Sequence, residues 1–346
     1  MKAAVYEGVG KFAVKEVENP KLPHGGCIVE IEYCAICGTD VKAYVHGNPR
    51  MKPPLILGHE FCGRITELDP YVKEFRVGDR VTLATSLPCG KCYLCQEGLS
   101  NMCENIQPVG TGLSGAFCKY LVLPYQALAH GNLLKVPDNV MSESASLSEP
   151  LGCVINGQLI VGVRGGDTVV VIGAGPIGWM HVGVAKAFGA SRVILVQRSR
   201  SRLEMAKGIK ADETICSDEE DPLKRVNELT GGRGAEVVIV SCPSHDAQAD
   251  SIKMAKKGGR ISFFSSLPKD KPEATLNTNL LHYRELRVCG SSDSRPYHQR
   301  LALELLSMGN LDVSGLITHK FPLSRIMDGL EIMRKKEGLK VLISPD

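Results

Sequence analysis

Hydrophobic and polar positions follow two textures along the chain. Up to about residue 145 they alternate in short runs, Cys27-Ile28-Val29-Glu30-Ile31, Arg80-Val81-Thr82-Leu83 and Tyr120-Leu121-Val122-Leu123, set between Gly and Pro punctuation. Runs of this kind predict short strands joined by loops. From about Thr168 the period changes. Apolar runs at Val169–Ile172, Arg192–Val196, Val237–Val240 and Ile261–Phe264 alternate with amphipathic stretches at Pro176–Phe188 and near Ser201–Gly208. That alternation predicts βαβ units on a parallel sheet. The C-terminal segment predicts helices near Gln299–Met308 and Leu323–Lys336 and a closing strand Lys340–Ile343. There is no internal repeat and no low-complexity segment.

A chain of 346 residues, 43% hydrophobic, can build two domains with a core each. Lysine plus arginine exceeds aspartate plus glutamate by 41 − 38 = +3, and the charges are interspersed, so neither a nucleic-acid stripe nor a membrane-binding face is implied. The longest apolar runs stop far short of the ~18 residues of a membrane span. Met1–Glu7 lacks the apolar core of a signal peptide. Thirteen cysteines in a long chain without an export signal point to metal or thiol chemistry in a reducing, cytoplasmic compartment.

The first chemistry lies in the spacing C-x2-C-x2-C-x7-C formed by Cys89, Cys92, Cys95 and Cys103. Four thiolates this close can close a tetrahedral shell around Zn²⁺ with no open position, which is the form of a structural site. Lys91, Gln96 and Glu97 make the stretch polar, so the cysteines have no apolar core to fill. An iron–sulfur cluster is the rival, but the last cysteine lacks the proline that follows it in bacterial ferredoxin runs. The lobe spans about 86–106.

The second chemistry is Gly173-Ala174-Gly175-Pro176-Ile177-Gly178, a G-x-G-x-x-G directly after the strand Thr168–Ile172 and before a helix. In that setting the glycines admit a pyrophosphate and the helix N-terminus supplies N–H groups and positive potential. The end of the next strand reads Val196-Gln197-Arg198-Ser199-Arg200-Ser201-Arg202, without the acid that would hold a ribose 2′-hydroxyl. Arginines and hydroxyls suit a 2′-phosphate, so NADP(H) is predicted over NAD(H), with Arg198 and Ser199 as first contacts and Arg202 in support. An exposed basic face at the start of a helix is the bland alternative.

A third set is dispersed. Cys37-Gly38-Thr39-Asp40, Gly58-His59-Glu60 and Ser148-Glu149-Pro150 each place a thiol, an imidazole or a carboxylate at a turn marked by Gly or Pro. Three protein ligands and one exchangeable position make a catalytic zinc site, but spacing alone leaves a metal centre and ordinary core residues about equally open.

These stretches together resemble the zinc-dependent medium-chain alcohol dehydrogenases over the whole length, in the sorbitol (L-iditol) and threonine dehydrogenase branch. The resemblance rests on Cys37–Asp40, Gly58–Gly63, the four-cysteine lobe, Glu149-Pro150-Leu151 and Gly173–Gly178. It implies that Cys37 and His59 bind catalytic zinc and that Glu60 completes the set. Glu149 is either a fourth ligand or the residue that holds the zinc-bound water, and Asp40 orients His59. Thr39 is the first member of the family's proton relay. The relay histidine of many relatives is Lys42 here, and His46 is a possible substitute. Ser265 and Ser266 resemble the loop on the nicotinamide side, and Lys340 is a candidate to reach the cofactor.

The expected fold class is α/β, a Rossmann doubly wound parallel sheet plus a GroES-like β-rich catalytic domain with a structural zinc lobe. The expected domains are residues 1–150 for the catalytic domain, 151–290 for the nucleotide domain and 291–346 for a segment completing the first. The expected function is hydride transfer between NADP(H) and a secondary alcohol or ketone, most readily a polyol or ketose, with two zinc ions per chain. Threonine, a sugar phosphate and a non-catalytic NADP(H)-binding relative are the alternatives. A homotetramer, or else a dimer, is the expected assembly, with no nucleic-acid or membrane partner.

Overall fold

The computed structural model describes residues 1–205 and 209–346. The chain forms two compact units: Met1–Gly152 with Asp293–Gly309 and Ile317–Asp346, and Cys153–Ser292 with Asn310–Leu316.

The second unit is built on six parallel strands in the spatial order Glu213–Cys216, Arg192–Gln197, Thr168–Ile172, Ala235–Val240, Ala255–Phe263, Arg287–Gly290. Numbered along this unit the order is 3-2-1-4-5-6, the doubly wound Rossmann arrangement, with its reversal at Thr168–Ile172. The central strands are almost wholly apolar because helices cover both faces of such a sheet: Val169, Val170, Val171, Ile194, Val238 and Ile239 are fully buried. The helix Pro176–Ala187 starts with proline at its first position, where the missing N–H costs no intrahelical bond. The stretch expected to be helical near Ser201–Gly208 is helical over Arg200–Leu203, and residues 206–208 lie outside the described residues. The strand Glu213–Cys216 and the helices Pro222–Leu229 and His245–Met254 are additions to what the sequence predicts.

The first unit is β-rich. Its main sheet runs Leu133–Lys135, Arg80–Leu83, Glu60–Leu68, Cys27–Ala35, Lys340–Ser344, Ile317–Pro322, with Tyr120–Leu123 also paired to Cys27–Ala35. Two registers set up the chemistry. Ala35 lies opposite Glu60 on one side and opposite Leu342 on the other. Cys37 leaves the end of its strand beside the start of the strand that carries Glu60, and the chain's final strand closes the other flank. The core beneath is continuous, with Cys34, Ile36, Leu57, Phe61, Phe117 and Ile343 all buried. Among the described residues no helix is long and apolar enough to cross a membrane.

Candidate active site

Cys37 is the N-cap of the helix Gly38–His46: its sulfur accepts from the Thr39 N–H at 3.4 Å, and its own N–H donates to Asp40 Oδ2 at 2.9 Å. This capping box immobilises the thiol and turns Asp40 inward, where it is fully buried. His59 Nδ1 and Asp40 Oδ1 face each other at 3.8 Å, and neither atom has a hydrogen-bond partner. An imidazole whose Nδ1 faces a carboxylate keeps Nε2 for a metal, with ring orientation set from behind. One donor atom each from Cys37, His59 and Glu60 falls within 4.8 Å of the others.

Glu60 is 1% exposed, and the Lys340 ammonium, 3% exposed, bonds both of its carboxylate oxygens, Oε1 at 2.6 Å. Lys340 is therefore engaged with Glu60, and the pairing of the last strand explains how it comes there. The preceding strand end is held by the Ile36 N–H on the Val341 carbonyl at 2.9 Å, which brings the lysine alongside. Glu149 lies in the first turn of the helix Ser148–Val161, outside the Cys37–His59–Glu60 group but electrostatically joined to it. Burial pushes its carboxyl up to about 7; His59 and Lys340 oppose the rise, and Glu60 and Asp293 add to it.

Burial alone would depress the His59 imidazole, yet Cys37, Asp40 and Glu149 carry it well above the ordinary value. The donor set thus makes a field that favours positive charge at this point, as a divalent cation would supply. With the two orphaned atoms, this is the observation that the residues fit a metal. Thr39 is half-buried at the helix start, and Lys42 and His46 are both exposed on the same helix.

Asp293 escaped the sequence reading. It takes a left-handed backbone, φ 59°, accepts a hydrogen bond from the Ser86 hydroxyl, and places a carboxylate oxygen within 4.8 Å of one on Glu149. It has no motif around it, and only a fold that returns the C-terminal segment to this unit brings it here.

The four-cysteine lobe is local. Cys92 Sγ lies 3.5 Å from Cys95 Sγ and 3.8 Å from Cys103 Sγ, and all four sulfurs lie within 4.8 Å of one another. A tetrahedron with Zn–S bonds of about 2.3 Å has edges of about 3.8 Å. Backbone N–H groups of Cys89 and Asn105 point at Cys103 Sγ, at 3.2 and 3.3 Å, and that of Cys92 at Cys89 Sγ, at 3.4 Å. N–H donors from Lys91 and Cys92 lower the Cys89 thiol to about 6, while burial pushes Cys95 up to about 12. A cation among the four would bring the last of them to thiolate.

In the second unit Gly173 and Gly178 are fixed by packing. A Cβ on Gly178 would lie 1.7 Å from the Gly173 carbonyl oxygen, and one on Gly173 would press on Cys242 Cβ and Ser241 Oγ at 3.0 Å. Cys242 thus has a place, under the first glycine. A Cβ on Gly175 would meet nothing within 4 Å, so this glycine keeps open the cradle at the N-cap of the helix Pro176–Ala187. Gln197, the last residue of its strand, accepts the Ala174 N–H through Oε1 at 2.9 Å, closing the loop from below where an acid would stand.

Arg200 is committed to Glu219. Arg198 is exposed and has no side-chain partner among the described residues, Ser199 caps the short helix Arg200–Leu203 without a side-chain bond, and Arg202 is half-buried. Ser265 follows the strand Ala255–Phe263, its N–H on the Val240 carbonyl at 3.0 Å, with Ser266 exposed beyond it.

A doubly wound nucleotide sheet, a thiolate–imidazole–carboxylate donor set and a closed four-cysteine lobe define a zinc-binding dehydrogenase. Residues 23–138 match the alcohol dehydrogenase GroES-like domain and residues 176–307 the zinc-binding dehydrogenase domain. The chain is 34% identical over 333 residues to the L-threonine 3-dehydrogenase of Bacillus licheniformis, covering 95% of this chain and 94% of the relative. It is 33% identical over 349 residues to the sorbitol dehydrogenase of Halalkalibacterium halodurans, covering 100% and 99%. A zinc-binding dehydrogenase from Sinorhizobium meliloti, solved bound to NADP, superposes with a TM-score of 0.91 at 30% identity over 99% of each chain. The chain belongs to the zinc-dependent medium-chain alcohol dehydrogenase family.

Proposed function

We propose that the protein oxidises secondary alcohols, polyols first, to ketones with NADP⁺, and runs the reverse reaction with NADPH. The observation that carries the reading is the gathering of Cys37, His59 and Glu60 donor atoms within 4.8 Å, with Glu149 beside them. These four would hold a catalytic zinc, and Cys89, Cys92, Cys95 and Cys103 a structural one. Zinc, when bound, supplies Lewis acidity toward a substrate oxygen, and the nicotinamide supplies the hydride acceptor.

The chain's own residues do the rest. Asp40 fixes the His59 ring from behind, and the Lys340–Glu60 pair keeps a carboxylate at the site despite its burial. Thr39 Oγ1, half-buried at the helix start, accepts the proton leaving the substrate hydroxyl as it passes its own on toward solvent, where the His46 ring, exposed on the same helix, can receive it; the Lys42 ammonium cannot accept a proton. In the nucleotide unit Gly173, Gly175, Pro176, Ile177 and Gly178 receive the pyrophosphate, and Ser265 and Ser266 line the nicotinamide side. Gln197 in place of an acid and the exposed Arg198, which has no side-chain partner among the described residues, favour, with Ser199 and Arg202, the 2′-phosphate of NADP. The NADP in the Sinorhizobium meliloti relative supports this cofactor.

L-Threonine is the second substrate reading, favoured by the identity to a threonine dehydrogenase. A cytoplasmic homotetramer, or else a dimer, completes the proposal. Thirteen cysteines without a disulfide fit a reducing compartment, and the exposed edge strand Arg287–Gly290 fits assembly. The test is absorbance at 340 nm with polyols, threonine and simple secondary alcohols, comparing NADP⁺ with NAD⁺. Turnover of a polyol with NADP⁺ strongly preferred supports the reading. Preference for NAD⁺ removes the role given to Arg198, and turnover of threonine alone transfers the substrate assignment.

A further inference from the structure

We propose that Gln299 is a positioning residue of the metal site: its side-chain amide ties the segment carrying Glu60 to the segment carrying Glu149. The inference rests on the metal-site reading above.

Gln299 is fully buried in the helix Pro296–Ser307, far along the chain from both acids. Its Nε2 donates to Thr82 Oγ1 at 3.1 Å and to Ser148 Oγ at 2.9 Å. Thr82 Oγ1 donates in turn to the carbonyl of Phe61, the residue after Glu60, at 2.8 Å. Ser148, the residue before Glu149, donates to the Ala145 carbonyl at 2.6 Å, and the two hydroxyl oxygens lie 3.2 Å apart. Thr82, Ser148 and Gln299 are each 0% exposed.

The network closes with one consistent set of protons. Both hydroxyl protons are spent on backbone carbonyls, so both hydroxyl oxygens can only accept, and the amide must present its two N–H groups. A flipped amide would set an acceptor against two acceptors. The amide oxygen, Gln299 Oε1, is left buried without a partner, a cost that an apolar side chain would avoid. Retaining a buried amide at that cost needs a reason, and the attachments supply one. The strand Glu60–Leu68 pairs with Arg80–Leu83 only at Gly63 and Arg64, so on that side Thr82 takes over from the ladder at Phe61. At the other attachment, a Cβ on Gly152 would lie 3.3 Å from Gln299 Cα and Cβ, so the helix that begins with Ser148 and Glu149 approaches this point closely. Glu60 and Glu149 repel each other, and a rigid tie between their segments holds them together against that repulsion.

The test uses the full chain, stripped of metal and titrated with Co²⁺, reading the visible d–d bands, the affinity of each site and the melting temperature. kcat and KM are then measured with the substrate found at 340 nm. Wild type takes up two cobalt ions. In Gln299→Leu the cobalt affinity of the Cys37 site and kcat fall about 10–100-fold, its d–d bands shift, KM stays within about threefold, and the four-cysteine site is unchanged. Thr82→Ser, which keeps the hydroxyl, stays at the wild-type values. The combined Thr82→Val, Ser148→Ala, Gln299→Leu replacement also strips the Phe61 and Ala145 carbonyls of their donors, so its melting temperature falls below that of Gln299→Leu and its spectrum and kcat shift at least as far. If Gln299→Leu fails to fold, Thr82→Val gives the same readings.

A Gln299→Leu chain with the wild-type cobalt spectrum and kcat overturns the inference. So does a combined variant that keeps the wild-type cobalt spectrum and kcat. Wild type that binds cobalt only at the four cysteines overturns the metal-site reading, and the inference falls with it.

Discussion

The four-cysteine lobe and the Cys37–His59–Glu60 site gather metal-type ligands by opposite means. In the lobe, one loop of fifteen residues brings its own sulfurs to about a tetrahedral edge from one another, with backbone N–H groups aimed at them. In the other site the ligands come from a helix cap, the start of a strand and the start of a distant helix, and Lys340 and Gln299 arrive from the C-terminal segment to hold the acids. A local site stands or falls with its own loop. A dispersed site depends on strand register and on residues that never touch a ligand.

The largest effect that could break this contrast is in turnover. Cys37→Ser should cost at least about 1,000-fold in kcat while the melting temperature moves by no more than about 2 °C and NADPH still quenches Trp fluorescence. Turnover near wild type would remove Cys37 from the chemistry. Cys95→Ala should do the reverse: the lobe, too small to fold by burial alone, loses its metal and takes several kcal/mol of stability with it. Differential scanning calorimetry checks this, and an unchanged melting temperature would contradict the structural assignment.

A smaller effect is expected at the nucleotide site. Arg198→Ala should raise KM for NADP⁺ about 10–100-fold and leave KM for NAD⁺ within about twofold, because only the 2′-phosphate is lost from the balance. Gln197→Asp should shift preference the same way by placing a carboxylate where a phosphate must sit. Equal effects on both cofactors would make Arg198 an ordinary surface residue.

A further effect carries the contrast to the core of the nucleotide unit. His181 is fully buried, takes one hydrogen bond from Gln158 Nε2 at Nδ1, 3.2 Å, and burial lowers its imidazole to about 3. The unfolded chain binds this proton first as pH falls below the ordinary histidine value. The folded state therefore loses stability between about pH 6.5 and 3, by at most about 1.4 kcal/mol per pH unit. His181→Gln should flatten that part of the profile in urea titrations; an unchanged slope would place the acid sensitivity elsewhere.

How much of this was legible before the structure follows from the same contrast. The lobe could be read from spacing because its ligands lie within one loop. The glycine loop could be read because strand, motif and helix are contiguous, and the apolar runs of the central strands announce a sheet covered on both faces. The Cys37 site was legible only through resemblance, since no spacing links residues 37, 60 and 149. The Lys340–Glu60 pair could not be read from the sequence because the strand pairing that sets it up, Leu342 opposite Ala35, is not written in the local pattern. Asp293 and Gln299 lay outside any motif for the same reason. Among the described residues the short helix after Arg198 ends at Leu203, a stop that amphipathic spacing does not mark.

Two metal sites of opposite construction on one chain would hold two zinc ions. Zinc content per chain, measured beside turnover in wild type, Cys37→Ser and Cys95→Ala, tests it most directly. Two zinc ions are expected in wild type and one in each variant, with Cys37→Ser stable but inactive and Cys95→Ala destabilised. A Cys37→Ser chain that keeps both zinc ions and its turnover would contradict it.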